Sequence, residues 1–181
     1  MTFKSALLEI AGLAIMASAV SAQSTTQSAP PPPLDGVARP LRDSVLEQLA
    51  GTWSTTRKSS RGTTVSIVQA DWVLSHQFLR LHYSDTATPS SYEAMVFSAT
   101  TTRGDRYVAH WIDVFGGRFS ETLGYGSRVP GGIRFVFEYP DGPFVNAFSF
   151  DRSKNEWLSQ MRQKNARGEW VSFADETFRR Q

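Results

Sequence analysis

The sequence predicts an all-β chain: a single antiparallel up-and-down β-barrel of about ten strands with a short N-terminal helix. Three observations carry that expectation. From Trp53 onward the apolar residues alternate with period two. The alternating stretches are separated by short clusters with turn chemistry. Several stretches also carry bulky side chains on one parity only, and such faces want an interior.

The elements follow in order. Residues 1–22 have the shape of a secretory signal peptide. Lys4 supplies a positive charge, Ile10 to Val20 is an unbroken run of apolar and small residues, and Val20-Ser21-Ala22 suits a cut before Gln23. The run is too short to span a bilayer, and Glu9 is its one irregularity. Residues 23–40 are rich in Ser, Thr, Gln, Ala and Pro and contain Pro30-Pro31-Pro32-Pro33. This segment is expected to be a disordered, extended tether. The folded domain is expected over 41–181.

That domain opens on Leu41, Val45, Leu46 and Leu49 at helical spacing, with Asp43 or Ser44 as cap and Gly51 as stop. A helix so short and one-sided suits a plug over one end of a barrel. The expected strands are Trp53–Lys58, Thr63–Leu74, Phe78–Ser84, Tyr92–Ala99, Tyr107–Val114, Arg118–Tyr125, Gly132–Tyr139, Phe144–Asp151, Glu156–Lys164 and Glu169–Phe178. Between them lie breaks such as Ser60-Arg61-Gly62, Thr88-Pro89-Ser90, Pro130-Gly131-Gly132 and Asp141-Gly142-Pro143. A meander of this length must split into two sheets or close, because closure alone removes its edges. Ile133, Phe135, Phe137 and Tyr139 share one face, as do Phe144, Asn146, Phe148 and Phe150.

Composition narrows the function classes. The chain contains no cysteine, which removes disulfides, thiolate metal sites, cysteine nucleophiles and a lipidated leader. Export without disulfide staples points to a periplasmic or secreted location. The formal net charge is only +2, from 19 basic and 17 acidic residues without clustering. No nucleic-acid footprint follows from that balance. No stretch after the leader could cross a membrane, so none is expected as a partner once the signal is cleaved.

Against this background the chain resembles a known family. Leu49-Ala50-Gly51-Thr52-Trp53, the passage from Trp72-Val73-Leu74 to Phe78-Leu79-Arg80, and Tyr107-Val108-Ala109-His110-Trp111-Ile112-Asp113 are similar to the pattern of an uncharacterised secreted bacterial family of calycin-like barrels. The likeness runs from Leu41 to Arg180 and implies a lipocalin- or nitrobindin-like container. In such barrels a first-strand tryptophan packs across the closed end beneath a basic residue of the last strand. The resemblance gives that structural role to Trp53 with Arg179 or Arg180. It does not carry over haem, since the histidine ligand of nitrobindins lies on a late strand. Here His76, His82 and His110 are the last histidines of the chain, and no cofactor is expected.

Candidate chemistry is sparse. His110, Asp113 and Glu121 cluster near aromatics, but residues three apart on a regular strand face opposite sides, so His110 and Asp113 do not form a pair. Asp113 shares a parity with Trp111 and Tyr107, and reads either as an interior acid–base group or as a carboxylate bonding backbone amides near Gly116-Gly117. The histidines show no metal-ligand spacing, and no G-x-S-x-G elbow occurs. Gly116-Gly117 and Gly124-Tyr125-Gly126 read as hairpin glycines at positive φ.

What remains is an aromatic interior with a few polar groups. Tyr83, Trp111, Glu121 and Tyr139 are the expected ligand-facing side chains. The leading expectation is an exported protein binding a small hydrophobic molecule inside the barrel. The alternatives are a cyclase- or decarboxylase-like enzyme using Asp113 and Glu121 with a tyrosine, or an interaction module.

Overall fold

The structure, a computed structural model, describes residues 39–101 and 104–181. The expected signal segment, and the tether up to residue 38, lie outside the described residues. The elements run α1 (Ser44–Leu49), β1 (Gly51–Ser59), β2 (Gly62–Val73), β3 (Phe78–Asp85), β4 (Glu93–Thr100), β5 (Tyr107–Asp113), α2 (Gly117–Ser120), β6 (Leu123–Val129), β7 (Gly132–Tyr139), β8 (Gly142–Asp151), β9 (Glu156–Lys164) and β10 (Trp170–Arg180). Each strand pairs antiparallel with its sequence neighbours, and β1 also pairs with β10. The result is a closed ten-stranded barrel without edges.

The expected strands agree with the observed ones to within two residues at either end, with one exception. Arg118–Tyr125 is not a continuous strand. Gly116 adopts φ 81° and breaks the chain direction after β5. The short helix α2 follows, its Ser120 hydroxyl donating to the Gly116 carbonyl at 3.2 Å, and pairing resumes only at Leu123. The shared parity of Phe119, Leu123 and Tyr125 mimics a strand, but the two glycines ahead of it decide the local geometry.

One end of the barrel is closed by α1. Asp43 caps the helix by accepting from the Val45 and Leu46 amides at 3.0 Å each. Its second carboxylate oxygen accepts from the Tyr107 hydroxyl at 2.9 Å and from Arg128 at 2.6 Å. Val45, Leu46 and Leu49 turn inward and are buried. The far end of the helix is held by tryptophans. Trp53 donates its indole N–H to the Leu49 carbonyl at 2.8 Å, Trp157 to the Gln48 carbonyl at 3.4 Å, and Trp72 to the Glu47 carboxylate at 3.3 Å. A six-residue helix leaves most of its carbonyls without intrahelical partners, and the Trp53 and Trp157 indoles supply donors to two of them. Trp53, Leu79, Trp157 and Phe178 are all 0% exposed at this end, each worth roughly 1.5–3 kcal/mol of burial.

The interior parity is the expected one. Ile133, Phe135 and Phe137 on β7, and Asn146 and Phe148 on β8, are buried. Phe135 meets Phe148 edge-on at 6.5 Å, and Phe137 stacks on Tyr139 at 6.0 Å. Gly124 and Gly126 explain how so many rings fit. They lie mid-strand on β6, directly opposite Phe137 and Phe135, and neither is among the residues at positive φ. The hairpin reading of these two glycines is therefore corrected. A Cβ at Gly124 would meet the Phe137 ring at 2.5 Å, and one at Gly126 the Phe135 ring at 2.8 Å. The rings lie flat on bare backbone.

Candidate functional site

Away from the plug, the inner faces of β10, β1, β3 and β5 turn polar as well as aromatic. On β10 a register shift between Ser172 and Ala174 sets Ala174, Glu176 and Phe178 on the inner face. Glu176 is 4% exposed and lies directly across the ladder from Arg57 of β1. Burial raises its carboxyl to about 7, and the Arg57 charge and the Thr55 hydroxyl only partly offset that rise. One carboxylate oxygen, Oε2, is buried without a hydrogen-bond partner.

Tyr83 enters from β3. Its ring lies 5.4 Å from Trp111 and meets Phe178 edge-on at 6.2 Å. Phe178 shares the inner face of β10 with Glu176, so the phenol and the carboxyl belong to one cluster. The Tyr83 hydroxyl is also buried and unpartnered. Burial pushes its phenol well above the ordinary value, and the Glu176 charge pushes in the same direction. Tyr92, just before β4, covers the cluster from the mouth. Its phenol is raised to about 12, chiefly by burial, with the charges of Asp113 and Glu176 adding and the Trp111 indole and Arg57 opposing. Buried polar atoms without partners are uncommon in folded chains, and Tyr83 Oη and Glu176 Oε2 are two of them, with Asp85 Oδ1 a third.

Below this cluster lies an apolar void of about 20 Å³, lined among others by Leu81, Trp111, Phe137, Asn146, Phe148 and Trp157. That is room for about one water molecule. Small-molecule pockets are of the order of 300–1,000 Å³. The described chain thus holds an aromatic-walled interior, filled by its own side chains.

The expected site residues divide. Tyr83 is 2% exposed and inward, Trp111 lines the void, and Tyr139 stands half-buried against Phe137. Burial raises the Tyr139 phenol, with the Asp113 and Asp141 charges adding to it. Glu121 is not with them. It is the exposed C-cap residue of α2, outside the barrel wall, because the chain there is helical rather than extended. Asp113 lies at the mouth end of β5, half-buried, where its carboxylate accepts from the Phe115 amide at 3.0 Å. It is an amide-capping group of the turn leading into α2.

His82 and His110 are engaged in the wall, and His76 in the turn between β2 and β3. His110 Nε2 lies 2.6 Å from the Ser120 carbonyl, His82 Nε2 2.6 Å from Glu93, and His76 stacks on Trp72 at 4.1 Å while contacting Glu47 at 3.1 Å. Among the described residues no group of three or more His, Cys, Asp or Glu side chains could hold a metal ion.

Sequence reasoning missed Glu176 and Arg57. The signal was present on β10, where Ala174, Glu176 and Phe178 alternate with Asp175, Thr177 and Arg179. A carboxylate between an alanine and a phenylalanine of one parity is an inward carboxylate once the strand is known to form the wall. No protein-family model matches the chain, and no curated protein matches it either.

Proposed function

We propose that this chain is an exported binding protein for a small, largely apolar molecule held inside the barrel between the Tyr83–Glu176 cluster and the aromatic wall. The observation that carries the reading is the pair of buried, unpartnered polar atoms, Tyr83 Oη and Glu176 Oε2, set among apolar side chains. A closed barrel is compatible with this role, and a mostly apolar site with a few fixed polar anchors is the usual composition of a ligand pocket. Membership of the uncharacterised secreted calycin-like family, and a periplasmic or secreted location, belong to the same proposal. They rest on the Gly51-Thr52-Trp53 and Tyr107-to-Asp113 motifs and on the leader-like residues 1–22.

The small void sets a condition on the proposal. A ligand enters only when side chains at the mouth move, and Tyr92, Trp111 and Tyr139 are the ones in the way. The neighbouring connection exposes Val114, Phe115 and Phe119, at 54%, 62% and 50%, and Tyr92 lies 6.1 Å from Phe115. This connection is the proposed gate.

Native mass spectrometry of the protein taken from its exporting host tests the reading. A bound mass that is lost on organic extraction supports it. Only the bare chain mass, before and after incubation with a lipid extract of that host, would count against it.

A second reading, acid–base catalysis on a small molecule, is favoured by one feature: Glu176 stands near 7 in an apolar setting beside a phenol. Under this reading the catalytic carboxylate is Glu176, with Tyr83 as hydrogen-bond donor. Turnover of a bound ligand lost in Glu176→Gln would select it over simple binding.

A further inference from the structure

One outward face of the barrel is apolar across four strands. Val108 of β5 pairs with Tyr125 of β6, Tyr125 with Val136 of β7, and Val136 with Val145 of β8. Their strand neighbours Ala109, Gly124, Phe135 and Asn146 are buried, so these four side chains point out of the wall. Leu123 lies beside Tyr125 on the same face, and the two are 41% and 49% exposed. A sheet face turned to water is ordinarily polar, and this strip departs from that rule.

Charge flanks the strip symmetrically. Arg134 and Glu138 stand two residues before and two residues after Val136 on the outer face of β7, and both are exposed. About 13 Å of strand separates them. Among the described residues neither takes part in an ion pair. The face therefore offers an apolar strip with a free cation on one side and a free anion on the other.

We infer that this face binds a second copy of the chain in a two-fold dimer. A two-fold contact requires a surface complementary to itself. An axis lying in the interface, at right angles to the strands, sets Val136 over Val136 and the strip over its own copy. The same operation brings Arg134 of each copy against Glu138 of the other, so two ion pairs form for each dimer. Four strands roughly 4.8 Å apart make the strip about 15 Å long, which places the contact among small, reversible interfaces. The inference does not depend on what the barrel holds.

Sedimentation velocity over a concentration series of the protein purified from its host tests it. The unmodified chain is expected to pass from monomer to dimer between about 1 and 100 µM. Arg134→Glu sets carboxylate against carboxylate, and Glu138→Arg sets guanidinium against guanidinium. Each variant alone is expected to dimerise at least about tenfold more weakly. An equimolar mixture of the two is expected to recover the parental affinity, because every charge then meets its opposite. A third variant, Tyr125→Ser, removes the exposed ring without changing charge and is expected to weaken the dimer at least about fivefold. A chain that stays monomeric throughout the series overturns the inference. Dimers that all three variants form as tightly as the parent overturn this face as the interface. A mixture no tighter than its components, both folded by near-UV circular dichroism, overturns the two-fold geometry. Should a charge variant misfold, the parent series and Tyr125→Ser decide.

Discussion

Arg57 and Glu176 face each other directly across β1 and β10, yet no ion pair joins them. Arg57 instead directs a guanidinium nitrogen to the Met161 sulfur at 3.7 Å, and burial keeps the carboxyl near 7. The native state therefore holds on to a proton that the unfolded chain releases at about 4.5. For a carboxyl raised in this way, the stabilisation is complete below pH 4.5 and is lost as pH climbs through 7. Glu176→Gln removes the titration. It is expected to be more stable than the parent at pH 8, by up to about 3 kcal/mol, and to differ little at pH 4.5. Urea unfolding at both pH values checks this, and an identical pH dependence in parent and variant would sink it.

Arg180 lies over Trp53, its guanidinium carbon 4.5 Å from the ring, and donates to the Ala50 carbonyl at 3.2 Å. This is the closure of the plugged end that the resemblance assigns to Trp53 with Arg179 or Arg180. Arg179 turns away and pairs with Glu156 at 2.7 Å. Arg180→Ala is expected to cost about 1 kcal/mol, since the arginine is exposed. Trp53→Ala, at 0% exposure, should cost about 3–5 kcal/mol. Thermal unfolding of the two variants gives the ratio, and equal losses would refute the division of labour.

Asp43 serves four donors at once, two helix amides, Tyr107 and Arg128. Asp43→Ala removes a cap and strands a buried phenol, for an expected loss of about 2–4 kcal/mol. Asp43→Asn keeps the cap and should recover roughly half of that. Denaturant midpoints of the pair give the answer, and an alanine variant as stable as the parent would mean that α1 is not pinned through this carboxylate.

Gly124 sits beneath the Phe137 ring, where a methyl group would meet it at 2.5 Å. Gly124→Ala is expected to destabilise by about 1–3 kcal/mol through overpacking. Adding Phe137→Leu should cost less in the Gly124→Ala background than alone, because the two changes share one space. A double-mutant cycle measures this, and strict additivity would show that ring and backbone do not compete.

Much of the fold was legible because strands and turns are written locally. The inward set on β7 and β8 follows from parity alone, and the helix stop at Gly51 follows from one residue. The segment from Arg118 to Tyr125 was not legible in this way. Its alternation is genuine, but the positive φ at Gly116 overrides it. The site was harder for a similar reason. Tyr83, Trp111 and Tyr139 announce themselves as bulky residues on an inner parity. Glu176 shares the parity of Ala174 and Phe178 but reads as inward only once β10 is known to form the wall, and its environment is made by Arg57, Tyr83 and Tyr92 from other strands and their connections. Glu121 shows the converse error, a carboxylate whose sequence neighbourhood suggests a wall position that the backbone does not take.

The most direct measurement is a carbon-13 NMR titration of the Glu176 side-chain carboxyl in the ligand-free chain, assigned by comparison with Glu176→Gln. A midpoint near 7 is the expected result, and it would establish a buried carboxyl without an ion-pair partner inside the barrel. A midpoint near 4.5 would contradict this, because it would place the carboxylate in water or in a full ion pair with Arg57 and leave no anchor for a ligand.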